Sequence, residues 1–158
     1  MVRKVRRLVE QAGTEVRRIS HNMMPEVLTR FGLKAALEDL FEDFSEKTKT
    51  EVHMGITLPE RLHDNKEFMI FRMAQELLHN TLKHSKADKV TFLLRRQGET
   101  VFVDYRDNGM GFNLEKSGKS DGIGLQSIRS RVEFLHGTFY LQTSPGNGFK
   151  LKITFPVL

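Results

Sequence analysis

Between residues 89 and 107 the chain alternates apolar and polar positions in two runs, and the second run ends on a carboxylate. Val90, Phe92 and Leu94 share one face of the first run, and Gln97-Gly98 has turn chemistry. In the second run a period of two places Val101, Val103, Tyr105 and Asp107 on one face and Phe102, Asp104 and Arg106 on the other. The pattern predicts an antiparallel hairpin whose apolar side continues to Asp107. A second hairpin is expected from residues 138–143 and 149–155 around Pro145-Gly146-Asn147-Gly148, with Phe149, Leu151, Ile153 and Phe155 inward and Lys150, Lys152 and Thr154 outward. Residues 51–57 read as one further strand, closed by Pro59.

Elsewhere the apolar spacing is helical. After Phe31-Gly32, residues Leu33, Ala36, Leu37, Leu40, Phe41 and Phe44 fall on one face. Asp64 with Glu67 three positions on has the spacing of a capping box, and the helix it starts should run to about His84. That helix carries a mostly apolar stripe (Ile70, Ala74, Leu77, Thr81) and a polar one (Arg72, Glu76, His79, Lys83), with Asn80 one turn beyond Glu76. Residues 122–136 form a last helix through Ile123, Ile128, Val132 and Leu135, ended by Gly137. At the start of the chain Val2, Val5, Val9, Ala12, Val16, Ile19 and Met23 recur at alternating spacings of three and four. That stripe is a dimer seam or a face packed on its own domain; Gly13 weakens the helix and Pro25 breaks or kinks it. Strands and helices in this order predict an α+β two-layer sandwich, helices on one face of a mixed, largely antiparallel sheet.

Composition narrows the options. A chain of 158 residues suits one domain with a short appendage, and no apolar run approaches the length of a membrane span. No signal-like start is visible, so a cytoplasmic location is expected. The lack of cysteine excludes disulfides and thiolate metal sites. His21, His53, His63, His79, His84 and His136 match no zinc spacing, so no structural metal is expected. A net charge of +5 raises nucleic acid as a partner, but the basic residues scatter except for Arg3, Lys4, Arg6, Arg7, Arg17 and Arg18. The solvated face of an amphipathic helix accounts for that arm better than a nucleic-acid surface, so no nucleic-acid partner is expected.

Candidate chemistry gathers around Asp107. A carboxylate on an apolar face needs a partner, because an unpaired buried charge is costly. The amino group of adenine would serve, whereas a guanine carbonyl would set acceptor against acceptor. Asp107-Asn108-Gly109-Met110-Gly111 can turn sharply beside a ligand, and the same residues suit an ordinary hairpin turn equally well. Glu76 and Asn80, four apart, point side by side as a magnesium-and-water site. Residues 113–121 read as a short lid, followed by Gly122-Ile123-Gly124 at a helix start.

These elements together resemble the ATP-binding domain of sensor histidine kinases, in the superfamily with gyrase, Hsp90 and MutL whose fold is the Bergerat-type sandwich. Glu76-Leu77-Leu78-His79-Asn80-Thr81-Leu82-Lys83-His84 resembles the family's N box, Asp107-Asn108-Gly109-Met110-Gly111-Phe112 its first glycine box, and Gly122-Ile123-Gly124-Leu125 its second. The resemblance covers residues 28–158. Val16-Arg17-Arg18-Ile19-Ser20-His21-Asn22-Met23-Met24-Pro25, followed by Phe31-Gly32-Leu33, resembles the second dimerisation helix and its exit in the NarL/DesK-like class. Residues 1–27 are therefore expected to be a dimerisation helix remnant with a kinked exit. In that class the phosphate-accepting histidine lies on the first dimerisation helix, which makes the chain a catalytic fragment and denies His21 that role.

The resemblance implies ATP and Mg²⁺ as cofactors. Asp107 would accept the adenine amino group, with Gly109 and Gly111 in the adjoining loop. Asn80 would hold Mg²⁺, with Glu76 reaching it through water, and these two are the expected catalytic residues. Gly122, Gly124 and Leu125 would bring backbone amides to the phosphates, and Lys83, His84, Lys116 and Lys119 would supply counter-charge. The enzyme implied is an ATP-dependent histidine kinase, a homodimer at full length, passing phosphate to a response-regulator receiver domain. Its parent protein is open to membrane anchoring, though this chain holds no membrane segment. A nucleotide-binding regulator of the same fold, such as an anti-sigma serine kinase or an inactive kinase, is the alternative. One departure stands out: many relatives carry a threonine at the position of Phe149, whose hydroxyl helps the adenine-binding aspartate. Either Thr143 or another donor substitutes here, or binding is weaker by about 1 kcal/mol.

Overall fold

The sheet is built as those alternations require. The computed structural model describes residues 24–115 and 122–158; the seam residues 2–23, the basic arm, His21, Lys116 and Lys119 lie outside them. Helix α1 (Glu26–Thr48) leads into strand β1 (Glu51–Thr57), then helix α2 (Asp64–Asn80), a π-helical turn (Thr81–Ser85), and the hairpin β2 (Lys89–Gln97) and β3 (Thr100–Asp107). Helix α3 (Ile123–Phe134) and the hairpin β4 (Thr138–Thr143) and β5 (Phe149–Pro156) complete the chain. The five strands lie in the order β1-β2-β3-β5-β4. β1 pairs parallel to β2 because α2 carries the chain back across the sheet, and the other pairs are antiparallel.

One face of the sheet holds the core. Val90, Phe92, Leu94, Val101, Val103, Tyr105, Leu151, Ile153 and Phe155 are all buried there. Against them pack Leu33, Leu37 and Phe41 from α1, Ile70, Ala74 and Leu77 from α2, and Ile128 and Val132 from α3. The Phe41 and Phe92 rings meet at 4.9 Å and fasten α1 to the sheet. Each such side chain contributes about 1.5–3 kcal/mol by leaving water. On the other face His53, Arg106, Lys150 and Lys152 are exposed, so helices cover one side only and the expected α+β sandwich is present. Among the described residues no helix is long and apolar enough to cross a membrane.

Three local expectations change. α1 begins at Glu26, before Phe31-Gly32, and Gly32 (φ 87°, ψ 176°) breaks its path. The positive φ at Gly32 favours glycine, and a methyl group there would press on the Arg61 guanidinium at 3.0 Å. The capping box at Asp64 and Glu67 is absent: His63 is the N-cap and no side chain caps the helix. Glu67 instead turns back into the core, accepting Arg61 Nε and Nη2 at 2.8 Å each and the Leu62 amide at 3.1 Å. A bidentate guanidinium is the stronger partner, and it outcompetes a backbone amide at the helix start. Finally, the helix expected to reach His84 widens to π geometry after Asn80, and this change bears directly on the site.

Candidate nucleotide-binding site

A cavity of about 450 Å³ opens between the end of α2, the end of β3 and the start of α3. The sequence-derived candidates Asn80, His84, Asp107, Gly111, Gly122, Gly124 and Leu125 line it, and so do Leu77, Met110, Phe112 and Phe149. Lys83 is exposed and outside the lining; Glu76 is half-buried and touches the cavity only through its neighbour Gly124.

Asp107 forms the polar floor. It is 8% exposed, at the inward-facing end of β3. Its Oδ1 accepts Ser85 Oγ at 2.6 Å and the Gly109 amide at 2.9 Å, and its Oδ2 accepts Thr81 Oγ1 at 3.1 Å. Thr81 Oγ1 lies 2.7 Å from the Tyr105 hydroxyl. Thr81 gives its proton to the carboxylate, so the phenol must donate to Thr81. Burial pushes the Tyr105 pKa above its ordinary value, and the Asp107 charge acts in the same sense against the Thr81 hydrogen bond, so the phenol keeps its proton.

Two glycines have reasons that the sequence did not show. A Cβ at Gly109 would fall 1.7 Å from Ser85 Oγ, so Gly109 is pressed against the π turn beneath the cavity and does not line it. The Met110 amide donates to Ser85 O at 2.7 Å and pins the loop there. At Gly124 a Cβ would lie 2.0 Å from Glu76 Oε1 and 3.2 Å from Asn80 Nδ2. The bare backbone at the start of α3 thus leaves room for an acid and an amide on α2 to stand beside it.

Phe149 pairs with Asp107 across β3 and β5 and is buried. Its ring meets Tyr105 edge-on at 6.3 Å and Phe112 at 6.2 Å, forming an apolar wall. Thr143 does not stand in for the missing hydroxyl: it donates to Gly148 O at 2.7 Å and accepts the Phe112 amide at 3.2 Å. The hydroxyls that reach Asp107 belong instead to Thr81 and Ser85. Their signal in the sequence was two hydroxyl residues four apart, the first of them on an otherwise apolar stripe.

Fold and cavity define a nucleotide-binding two-layer sandwich, with one carboxylate in its floor and a helix N-terminus at its rim. The chain belongs to the family described as histidine kinase-, DNA gyrase B-, and HSP90-like ATPase, which matches residues 65–158. It is 33% identical over 159 residues to the signal transduction histidine-protein kinase/phosphatase DegS of Brevibacillus brevis, covering 99% of this chain and 40% of that protein. With the sensor histidine kinase LiaS of Bacillus subtilis (strain 168) it shares 28% identity, over 99% of this chain and 43% of LiaS. The chain spans about two fifths of the length of these curated relatives. Among solved structures, the Acinetobacter baumannii histidine kinase AdeS superposes with a TM-score of 0.69 at 17% identity, covering 97% of this chain and 83% of AdeS. The histidine kinase domain of Erythrobacter litoralis EL346 blue-light activated histidine kinase gives 0.63 at 20% identity, covering 79% and 61%. The domain is therefore an ATPase-type domain of this family, similar over its length to part of several sensor histidine kinases.

Proposed function

We propose that this chain is the Mg-ATP-binding catalytic part of a two-component sensor kinase of the NarL/DesK-like class, with residues 1–27 as the second dimerisation helix and its exit and 28–158 as the catalytic domain. The observation that supports this most is Asp107, buried in the cavity floor and fully engaged except for one acceptor position on Oδ2. An adenine amino group completes it. Phe112, Phe149 and Leu125 offer apolar surface to the base. The N-terminus of α3 at Gly122 and Gly124 favours the phosphates, which carry negative charge. His84 on the cavity wall, Lys83 beyond it, and Lys116 and Lys119 from the 113–121 stretch add counter-charge.

Asn80 and Glu76, flanking the bare backbone of Gly124, present the oxygen donors that suit Mg²⁺. When bound, that ion offsets charge on the phosphate oxygens, which is most of what phosphoryl transfer requires of a site. Asn80 positions the triphosphate, and Glu76 orients solvent and the amide beside it. In the full enzyme, a homodimer, an imidazole nitrogen on the first dimerisation helix attacks the γ-phosphorus, the bond to the β-phosphate oxygen breaks, and ADP leaves. A receiver-domain aspartate on a response regulator then takes the phosphoryl group.

Nucleotide titration with and without Mg²⁺ tests the reading. Asp107→Asn turns an acceptor toward the adenine amino group into a donor, and ATP affinity should fall about 100-fold. Unchanged affinity would overturn the site.

A further inference from the structure

We infer that Tyr105, which touches no ligand position, is a positioning residue for adenine selection and acts through Thr81 in a hydroxyl clamp completed by Ser85. The inference rests on the adenine-binding role proposed for Asp107. A carboxylate offers about four acceptor positions. Ser85 Oγ and the Gly109 amide fill both on Oδ1, and Thr81 Oγ1 fills one on Oδ2. The vacant position is therefore on Oδ2, next to the threonine hydroxyl, and its direction is set by where that hydroxyl lies.

Thr81 could satisfy itself in two ways. Donating to Tyr105 would turn its lone pairs on Oδ2, lone pair against carboxylate; donating to Oδ2 requires that Tyr105 donate to it. The 2.7 Å contact between the two hydroxyls, with the phenol wholly buried and protonated, enforces the second arrangement. A chain of donors running Tyr105 to Thr81 to Asp107 strengthens each member. The π turn serves the same end: Thr81 and Ser85 are its first and last residues, and the widened backbone delivers both hydroxyls to the two oxygens of one carboxylate. Among the described residues no buried side-chain polar atom lacks a partner, so the clamp is closed except toward the cavity. Opposite it, Phe149 provides no donor, and orientation of Asp107 falls to the two hydroxyls of the π turn and the Gly109 amide.

The probes are ATP and purine riboside 5′-triphosphate, which lacks the 6-amino group, titrated against the whole chain. Wild type should prefer ATP. Tyr105→Phe keeps the ring against Phe149 and removes one hydroxyl; it should weaken ATP about 5-fold and leave the purine analogue unchanged. Thr81→Val should weaken ATP about 20-fold, and Thr81→Ser should restore the preference. Because Tyr105 acts through Thr81, adding Tyr105→Phe to Thr81→Val should cost nothing more. Melting curves identify any variant that fails to fold, and the Thr81→Ser and Tyr105→Phe proteins keep the comparison intact. Equal loss for both nucleotides, or additive losses in the double variant, would overturn the relay. A wild type that binds ATP and prefers it, with Tyr105→Phe unaffected, would sink the relay alone; a wild type that binds no ATP would sink the relay together with the function on which it rests.

Discussion

Two carboxylates, Glu67 and Asp107, are buried in this domain to 1% and 8% exposure, and the way each is satisfied separates structure from function. Glu67 is met by a charge: Arg61 grips both of its oxygens at 2.8 Å, and the Leu62 amide adds a third bond. Glu67 lies outside the cavity lining, and the pair fastens the loop before α2 against the kink at Gly32. Asp107 is met only by neutral donors, two hydroxyls and one amide, and one acceptor position faces the cavity. A buried acid with a fixed counter-charge holds a fold together. One held by neutral donors keeps its charge for something that arrives.

Removing the counter-charge is the strongest way to break this contrast. Arg61→Ala strands Glu67 in the core and should cost about 3 kcal/mol in urea unfolding. The reverse change, Glu67→Gln, leaves a guanidinium that is 54% exposed and can return to water. It should cost only about 1 kcal/mol. Both should leave ATP affinity within about two-fold, since the pair lies outside the cavity lining. The Asp107→Asn protein should show the opposite profile, with binding lost and unfolding little changed; a large loss of stability there would erase the distinction.

Next in size is the phosphate end. Gly124→Ala places a methyl group against Glu76 Oε1 and beside Asn80 Nδ2, and should reduce ATP affinity about 10-fold more with Mg²⁺ than without it. Equal losses with and without Mg²⁺ would show that the acid and amide do not serve the ion.

The smallest expected effect is on alkaline stability. Burial raises the Tyr105 pKa in the folded state above the ordinary 10.0. The folded chain therefore holds that proton more tightly than the unfolded chain: its contribution is complete below pH 10 and is lost as pH rises beyond it, by up to about 1.4 kcal/mol per unit. Melting temperatures measured from pH 9 to 11 should fall less steeply in Tyr105→Phe. The Arg61–Glu67 pair contributes no such slope, because guanidinium does not titrate there.

Much of this was legible before any coordinates. Alternation set Val101, Val103 and Tyr105 inward and carried Asp107 to the same side, and both hairpins fell where turn residues interrupt the pattern. Those features are local. Strand period, turn chemistry and helical stripes are dictated by residues within one or two turns of each other, and a linear text records them.

What the tertiary structure decided concerns partners. Glu67 had the spacing of a capping residue and chose Arg61 instead, because the competition was between a backbone amide and a bidentate guanidinium that no local rule could place. Thr81 fell on a mostly apolar stripe, until packing brought it to its acceptor Asp107, 26 positions away along the chain. The need for glycine at 109 came from Ser85, and at 124 from Glu76, each on another element. The sequence alone determined which face Asp107 occupies; which hydroxyls hold it, and which of its oxygens is left open, followed only when distant segments closed around a shared core.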